Sequence, residues 1–158
     1  MSAQALATGV LGLFTVGGFL VVSSAGDPGT APATTVRAYD GQVVKATGAT
    51  AAPVTFVVVN QQIPNVTSRS LARTRQAHTC RVRVTCTAPT AGGVRIRAQE
   101  TIDALDGKRP AAAGWSTSPV ALINAREPQE DREVAAPTGG RYPMFAVLEF
   151  EYTATLSS

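Results

Sequence analysis

The chain opens without charge. Of its 158 residues the first 26 hold no Asp, Glu, Lys or Arg, and Asp27 is the first ionised side chain. Charge stays scarce, at 16%, where a globular protein usually has about a quarter. Histidine is represented by His78 alone, which removes the common imidazole-based metal sites and leaves one conventional general base. Two cysteines and no C-x-x-C spacing exclude a zinc ribbon or a thioredoxin-like redox motif. G-x-S-x-G, H-E-x-x-H and a Gly-rich loop ending in Gly-Lys-Ser/Thr are also missing. The net charge of +3 is too small for a dedicated nucleic-acid binder. What is present suits one compact domain, or a domain with an arm: 44% hydrophobic residues, with 14 glycines and 10 prolines for loops.

The uncharged start contains an 18-residue run, Ala5 to Val22, which is long enough to raise a membrane-spanning reading. Four glycines and two threonines make it only mildly apolar. No base precedes it, as a secretory leader would require, and no Lys, Arg, Trp or Tyr anchors its ends. Leu6, Val10, Leu13 and Phe14 fall on one face of a helix, and Gly17-Gly18 would end it. The favoured expectation is a short packed helix. A membrane or secretory segment and a disordered arm are the competitors. Residues 23 to 35, SSAGDPGTAPATT, read as a small-residue linker. The expected organisation is therefore a helix and linker over 1–34 and a single domain over 35–158.

The stretch TCRVRVTCT, Thr79 to Thr87, alternates strictly. Cys80, Val82, Val84 and Cys86 share one face, and Arg81 and Arg83 lie on the other. Six residues of strand span roughly 20 Å, whereas a disulfide needs Cα atoms within about 7 Å. The two thiols are thus expected to be buried and free, which fits a reducing compartment. Further strands are expected at 35–39, 54–60, 119–126 and 144–156. VTFVVVN, Val54 to Asn60, is apolar on both faces and reads as a central strand covered on both sides. Residues 61–77 read as a long loop. Thr90 is a candidate N-cap for a helix carrying Val94, Ala98, Thr101, Ile102 and Leu105 on one stripe and ending near Gly107. Ile96 points the opposite way. The expected class is α+β: a mainly antiparallel sheet packed against an N-terminal helix and a second helix, with long loops.

Charge is unevenly placed. Residues 60–110 hold nine bases against three acids, while 127–151 hold six acids against two bases. Two arrangements account for this. Arg81 and Arg83 could pair across the sheet with Glu149 and Glu151. Alternatively, the basic loop of one subunit, with Arg69, Arg73 and Arg75, meets the acidic loop of the next, with Glu130, Asp131 and Glu133, in a head-to-tail contact that closes a ring. Ile96 would be a natural interface residue in such a ring. The same arginines could line a channel past DNA phosphates in non-specific contact. Catalysis finds little footing, because His78 has no carboxylate partner nearby in sequence. Gly92-Gly93 reads as flexible backbone at a helix start, and the dispersed acids of 127–133 do not form a calcium loop. A non-enzyme without cofactor or metal is expected.

In order along the chain stand an N-terminal helix, V-R-A-Y-D-G (Val36 to Gly41) and P-V-T-F-V-V-V (Pro53 to Val59). There follow S-R-S-L-A-R-T-R (Ser68 to Arg75), R-V-R-V-T-C (Arg81 to Cys86), A-Q-E-T-I-D-A-L-D-G-K-R-P (Ala98 to Pro110) and Y-P-M-F-A-V-L-E-F-E-Y (Tyr142 to Tyr152). This order resembles the tail terminator, or tail completion, proteins of long-tailed bacteriophages, over roughly residues 35–156. The linker at 23–35 is longer than that pattern has. The resemblance implies a small α+β subunit of a hexameric ring in the virion. Such a ring caps the head-proximal end of the tail tube after assembly in the host cytoplasm. Its partners would be its own copies, the tail tube protein and the head–tail connector, with DNA passing through the lumen and no membrane involved. The nearest alternative is another neck protein, such as a head-closure or connector component. The alternative of another class is a membrane-anchored or exported small binding domain.

Overall fold

The structure is a computed structural model that describes residues 3–23, 35–44, 55–69, 76–133 and 141–157, with the backbone alone for 65–69 and 76. The order of elements is α1 (Ala3–Val16), β1 (Leu20–Val22), β2 (Arg37–Asp40), β3 (Phe56–Gln61), β4 (Asn65–Arg69), β5 (Gln76–Ala88), α2 (Ala91–Leu105), β6 (Trp115–Thr117), β7 (Ala121–Ala125), β8 (Gln129–Glu130) and β9 (Met144–Leu156). The fold is α+β. Among the described residues nine strands form one sheet, ordered β1-β2-β3-β5-β9-β6, with β4 added to β5 and β7 and β8 added to β9. β1, β2 and β3 run parallel, and the remaining pairs are antiparallel.

Helix α1 forms because Leu6, Val10 and Phe14 recur at four-residue spacing and all three are buried. It stops where expected. Gly18 takes φ +88, the Gly18 N–H bonds the Thr15 carbonyl, and the Phe19 N–H bonds the Phe14 carbonyl. This is a left-handed helix cap closed by a hydrophobic contact: the Phe14 and Phe19 rings meet edge to face at 5.2 Å. The cap turns the chain directly into β1, a strand absent from the sequence expectation. Three residues are too few to show alternation, and β1 exists because β2 offers it a parallel edge. Residues 3–23 therefore build on the same core as the rest of the chain. No helix among the described residues is long and apolar enough to cross a membrane.

Helix α2 is capped as expected: Thr90 Oγ1 accepts from the Gly93 N–H at 3.1 Å. Its buried residues are Val94, Thr101, Ala104 and Leu105, while Ala98 and Ile102 pack partly against the core. Thr101 is fully buried because its hydroxyl donates to the Arg97 carbonyl at 2.9 Å and lies 3.6 Å from Cys86 Sγ. Past the helix, the Asp106 carboxylate accepts the Leu122 N–H, and Gly107 and Lys108 exchange backbone bonds with Val120. These bonds fasten the exit of α2 to the start of β7.

Both helices contribute to a core that also contains Val57, Val59, Cys80, Val82, Val84, Cys86, Leu148, Phe150 and Tyr152. β3 is central, between β2 and β5, but its second face is only half covered: Val57 and Val59 are buried, Phe56 and Val58 half-buried. The expected loop over 61–77 is also corrected. Residues 65–69 form β4 against 76–79 of β5, with a bulge between Val66 and Ser68, and β5 begins at Gln76 instead of Thr79. Polar residues hid β4, because backbone bonding to β5 holds it without an apolar face. Residues 70–75, with most of the 23–35 linker, lie outside the described residues.

Both thiols are buried and free. Burial pushes the Cys86 thiol up to about 11, partly offset by its Thr101 contact and the nearby Arg97 charge, and it raises Cys80 as well. The Cys86 thiol ionises in the unfolded chain near 9 but stays protonated in the fold until about 11. Its contribution is thus whole below pH 9 and is lost as pH rises through that window. Thiol-labelling at pH 8 should leave both cysteines unmodified in the native protein and modify both after denaturation. Two glycines of α1 should respond oppositely to alanine. A Cβ at Gly9 would stand 2.6 Å from the Ala111 carbonyl oxygen, whereas one at Gly12 meets nothing within 4 Å. Gly9→Ala should cost about 1–3 kcal/mol, and Gly12→Ala should add up to about 1 kcal/mol, both read from denaturant unfolding.

Candidate subunit interface

The face of the sheet away from the helices carries the charges. Strict alternation on β5 and β9 puts Arg81 opposite Glu151 and Arg83 opposite Glu149. The guanidinium of Arg81 lies 3.0 Å from Glu151 and that of Arg83 3.1 Å from Glu149. Asn124 of β7 adds a bond from Nδ2 to Glu149 Oε2 at 3.3 Å. The hydrogen bond from Asn124, then those and the charge of Arg83, with Arg126 nearby, hold the Glu149 carboxyl below its usual range. Arg97 pairs likewise with Glu100 at 2.9 Å. Of the nine bases in 60–110, these three are therefore satisfied within the chain. Arg81 and Arg83 make the cross-strand pairs that the sequence offered as one of its two arrangements.

Arg69 and Glu130 fall at opposite ends of the sheet. Arg69 is the last residue of β4, paired in register with Gln76 at the start of β5. Arg73 and Arg75 lie outside the described residues, on the segment that joins those two positions. Glu130 lies in β8, opposite Met144 at the far end of β9. Arg132 bonds Glu130 at 3.2 Å, the Asp131 N–H bonds the Pro143 carbonyl, and Asp131 Oδ1 accepts the Glu133 N–H. Glu130, Asp131, Arg132 and Glu133 form one wall of a groove of about 490 Å³, floored by Thr85, Thr87 and Phe145. Ile96 stands apart, 54% exposed on the outer side of α2.

Sequence reading missed Ile123. It is the extra residue at a bulge in β7, 51% exposed, and it shares a shallow pocket with Gln62, Arg81, Arg83 and Glu149. Only the pairing of β7 with β9 reveals it, because the bulge breaks the alternation that sequence patterns rely on. His78 is half-buried and meets Trp115 edge to face at 5.0 Å. No group of three or more His, Cys, Asp or Glu among the described residues could hold a metal ion.

No protein-family model matches the chain, and no curated protein sequence matches it. The fold has a solved counterpart in a chain described as the virion of native gene transfer agent (GTA) particle. The two superpose with a TM-score of 0.50 at 14% identity, covering 66% of this chain and 75% of that one. At that identity the likeness is one of fold.

The Arg81–Glu151 pair is exposed and should be weakly coupled. A double-mutant cycle with Arg81→Ala and Glu151→Ala should give about 0.2–1 kcal/mol, reduced by added salt. A coupling several times larger would mean that the pair is desolvated.

Proposed function

We propose that this protein is a non-enzymatic structural component of a phage-type virion. In this reading it forms a ring, of six copies, at the head-proximal end of the tail, where it terminates the tail tube and joins it to the head connector. The supporting observation is the shared fold with a chain of the gene transfer agent virion. The order of motifs along the chain points the same way. A subunit of this kind needs surfaces rather than a reaction centre, and no cofactor is called for. Its partners would be its own copies, the tail tube protein and the connector. DNA in the lumen would make at most non-specific contact, since Arg81 and Arg83 already have carboxylate partners. The place of action would be the tail or neck of the particle, after assembly in the host cytoplasm.

Sedimentation of the purified chain at high concentration and low ionic strength should yield a discrete ring-sized species. A strictly monomeric mass there, and again in the presence of purified tail tubes, would refute the ring. Co-sedimentation with tubes against connectors separates the terminator role from that of another neck protein. Ile96→Glu should lower the fraction assembled while leaving the thermal midpoint within a degree or two of wild type, because the side chain is already exposed.

A further inference from the structure

On the face away from the helices the two long strands carry a strip that is complementary to itself. We infer that this strip packs against the same strip of a second copy, about a two-fold axis parallel to the strands and midway between β5 and β9. The contact is isologous, so it pairs two copies and is separate from any contact that closes a ring. It goes beyond the ring reading and does not depend on it.

Three observations carry it. The first is register. On this face β5 presents Thr87, Thr85, Arg83 and Arg81, and β9 presents Phe145, Val147, Glu149 and Glu151 at the same levels. One strand is small and then basic; the other is large and then acidic. The axis lays β5 of one copy over β9 of the other at unchanged height. Thr87 and Thr85 then meet Phe145 and Val147 of the second copy, and Arg83 and Arg81 meet its Glu149 and Glu151. Sheets that pack face to face keep their strands roughly aligned, which is the geometry this axis needs. The second is room. Thr85 and Thr87 floor a groove of about 490 Å³ beside the half-buried Phe145, and the larger side chains of the second copy would fill it. The acidic wall of 130–133 stands on the β8 flank of β9. The axis exchanges flanks, so this wall meets the β3 side of the second copy and not the other wall. The third is charge. Arg81 and Arg83 stay 61% and 56% exposed although each is paired within the chain. Arg81 bonds Glu151 through Nε and Arg83 bonds Glu149 through Nη2, which leaves guanidinium donors for a second carboxylate. Two arginines and two glutamates give the strip no net charge. It therefore fits its own copy better than it fits a nucleic acid or a partner of one sign.

The test is a charge-swapped chain, Arg81→Glu/Arg83→Glu/Glu149→Arg/Glu151→Arg, mixed with wild type that carries a mass tag and read by native mass spectrometry. The swap preserves the cross-strand pairs inside each copy and leaves the swapped chain complementary to itself. Against wild type it sets like charges opposite each other wherever the strips meet. Each protein should form two-copy species with its own kind, and mixed pairs should fall to about a tenth or less of their statistical share. If the thermal midpoint shows that the swapped chain does not fold, Thr87→Lys takes its place. It should weaken pairing about tenfold, because an ammonium group then lies over Phe145 of the second copy. Mixed pairs at the statistical share, a Thr87→Lys chain that pairs as wild type does, or wild type with no two-copy species at high concentration would each overturn the pairing. The ring is read from the larger species in the same spectra, so it stands or fails separately.

Discussion

The pairing of β5 with β9 sets the rest of the molecule. Both strands are thirteen residues long, and their register runs from Ala77↔Thr155 to Ala88↔Met144. Side chains alternate with period two, so this one register decides both faces at once. It turns Cys80, Val82, Val84 and Cys86, with Ala146, Leu148, Phe150 and Tyr152, towards the helices. It also sets Arg81 and Arg83 against Glu151 and Glu149 on the other side. A slip by one residue would put two arginines into the core and leave valines in water, which is why the register is strongly specified. β3 and β4 add to β5, while β6, β7 and β8 add to β9.

The same ladder gives the charges their meaning. Arginines that look available in the sequence are paired in the fold, and the Arg81 and Arg83 pairs place no net charge on the middle of the sheet. Glu130, Asp131, Arg132 and Glu133 lie instead beside β8 and Phe145, at one end of β9. A small net charge thus conceals an uneven distribution along the sequence, nine bases against three acids in 60–110 and six acids against two bases in 127–151.

Much of this was legible beforehand, for identifiable reasons. The helix α2 was marked by its cap and its stripe: Thr90 caps its start, and Gly107 takes φ +72 in the turn after its end, which the Lys108 N–H closes on the Leu105 carbonyl. The long strands were marked by alternation that a two-faced environment enforces. β1, β6 and β8 were not legible: strands of three, three and two residues carry too little pattern, and each exists because a neighbour presents an edge. β4 was concealed by polar residues, and Ile123 by a bulge that displaces it from the period. The second face of β3 was read as fully covered because valines alternate with valines, yet Phe56 and Val58 are half-buried. Composition does not say how many layers a sheet has.

The opening absence of charge now has a physical account. An uncharged, glycine-containing segment packs its Leu6, Val10 and Phe14 into the core and lets Gly9 approach the Ala111 carbonyl. By itself the sequence determined the fold class, the two helices, the free buried thiols and the faces of the long strands, because each follows from local periodicity and capping chemistry. Only the tertiary structure decided which arginines are neutralised and where β1 and β4 go. Those depend on which residues face one another across strands separated by about 70 positions in the chain, and no local pattern encodes that.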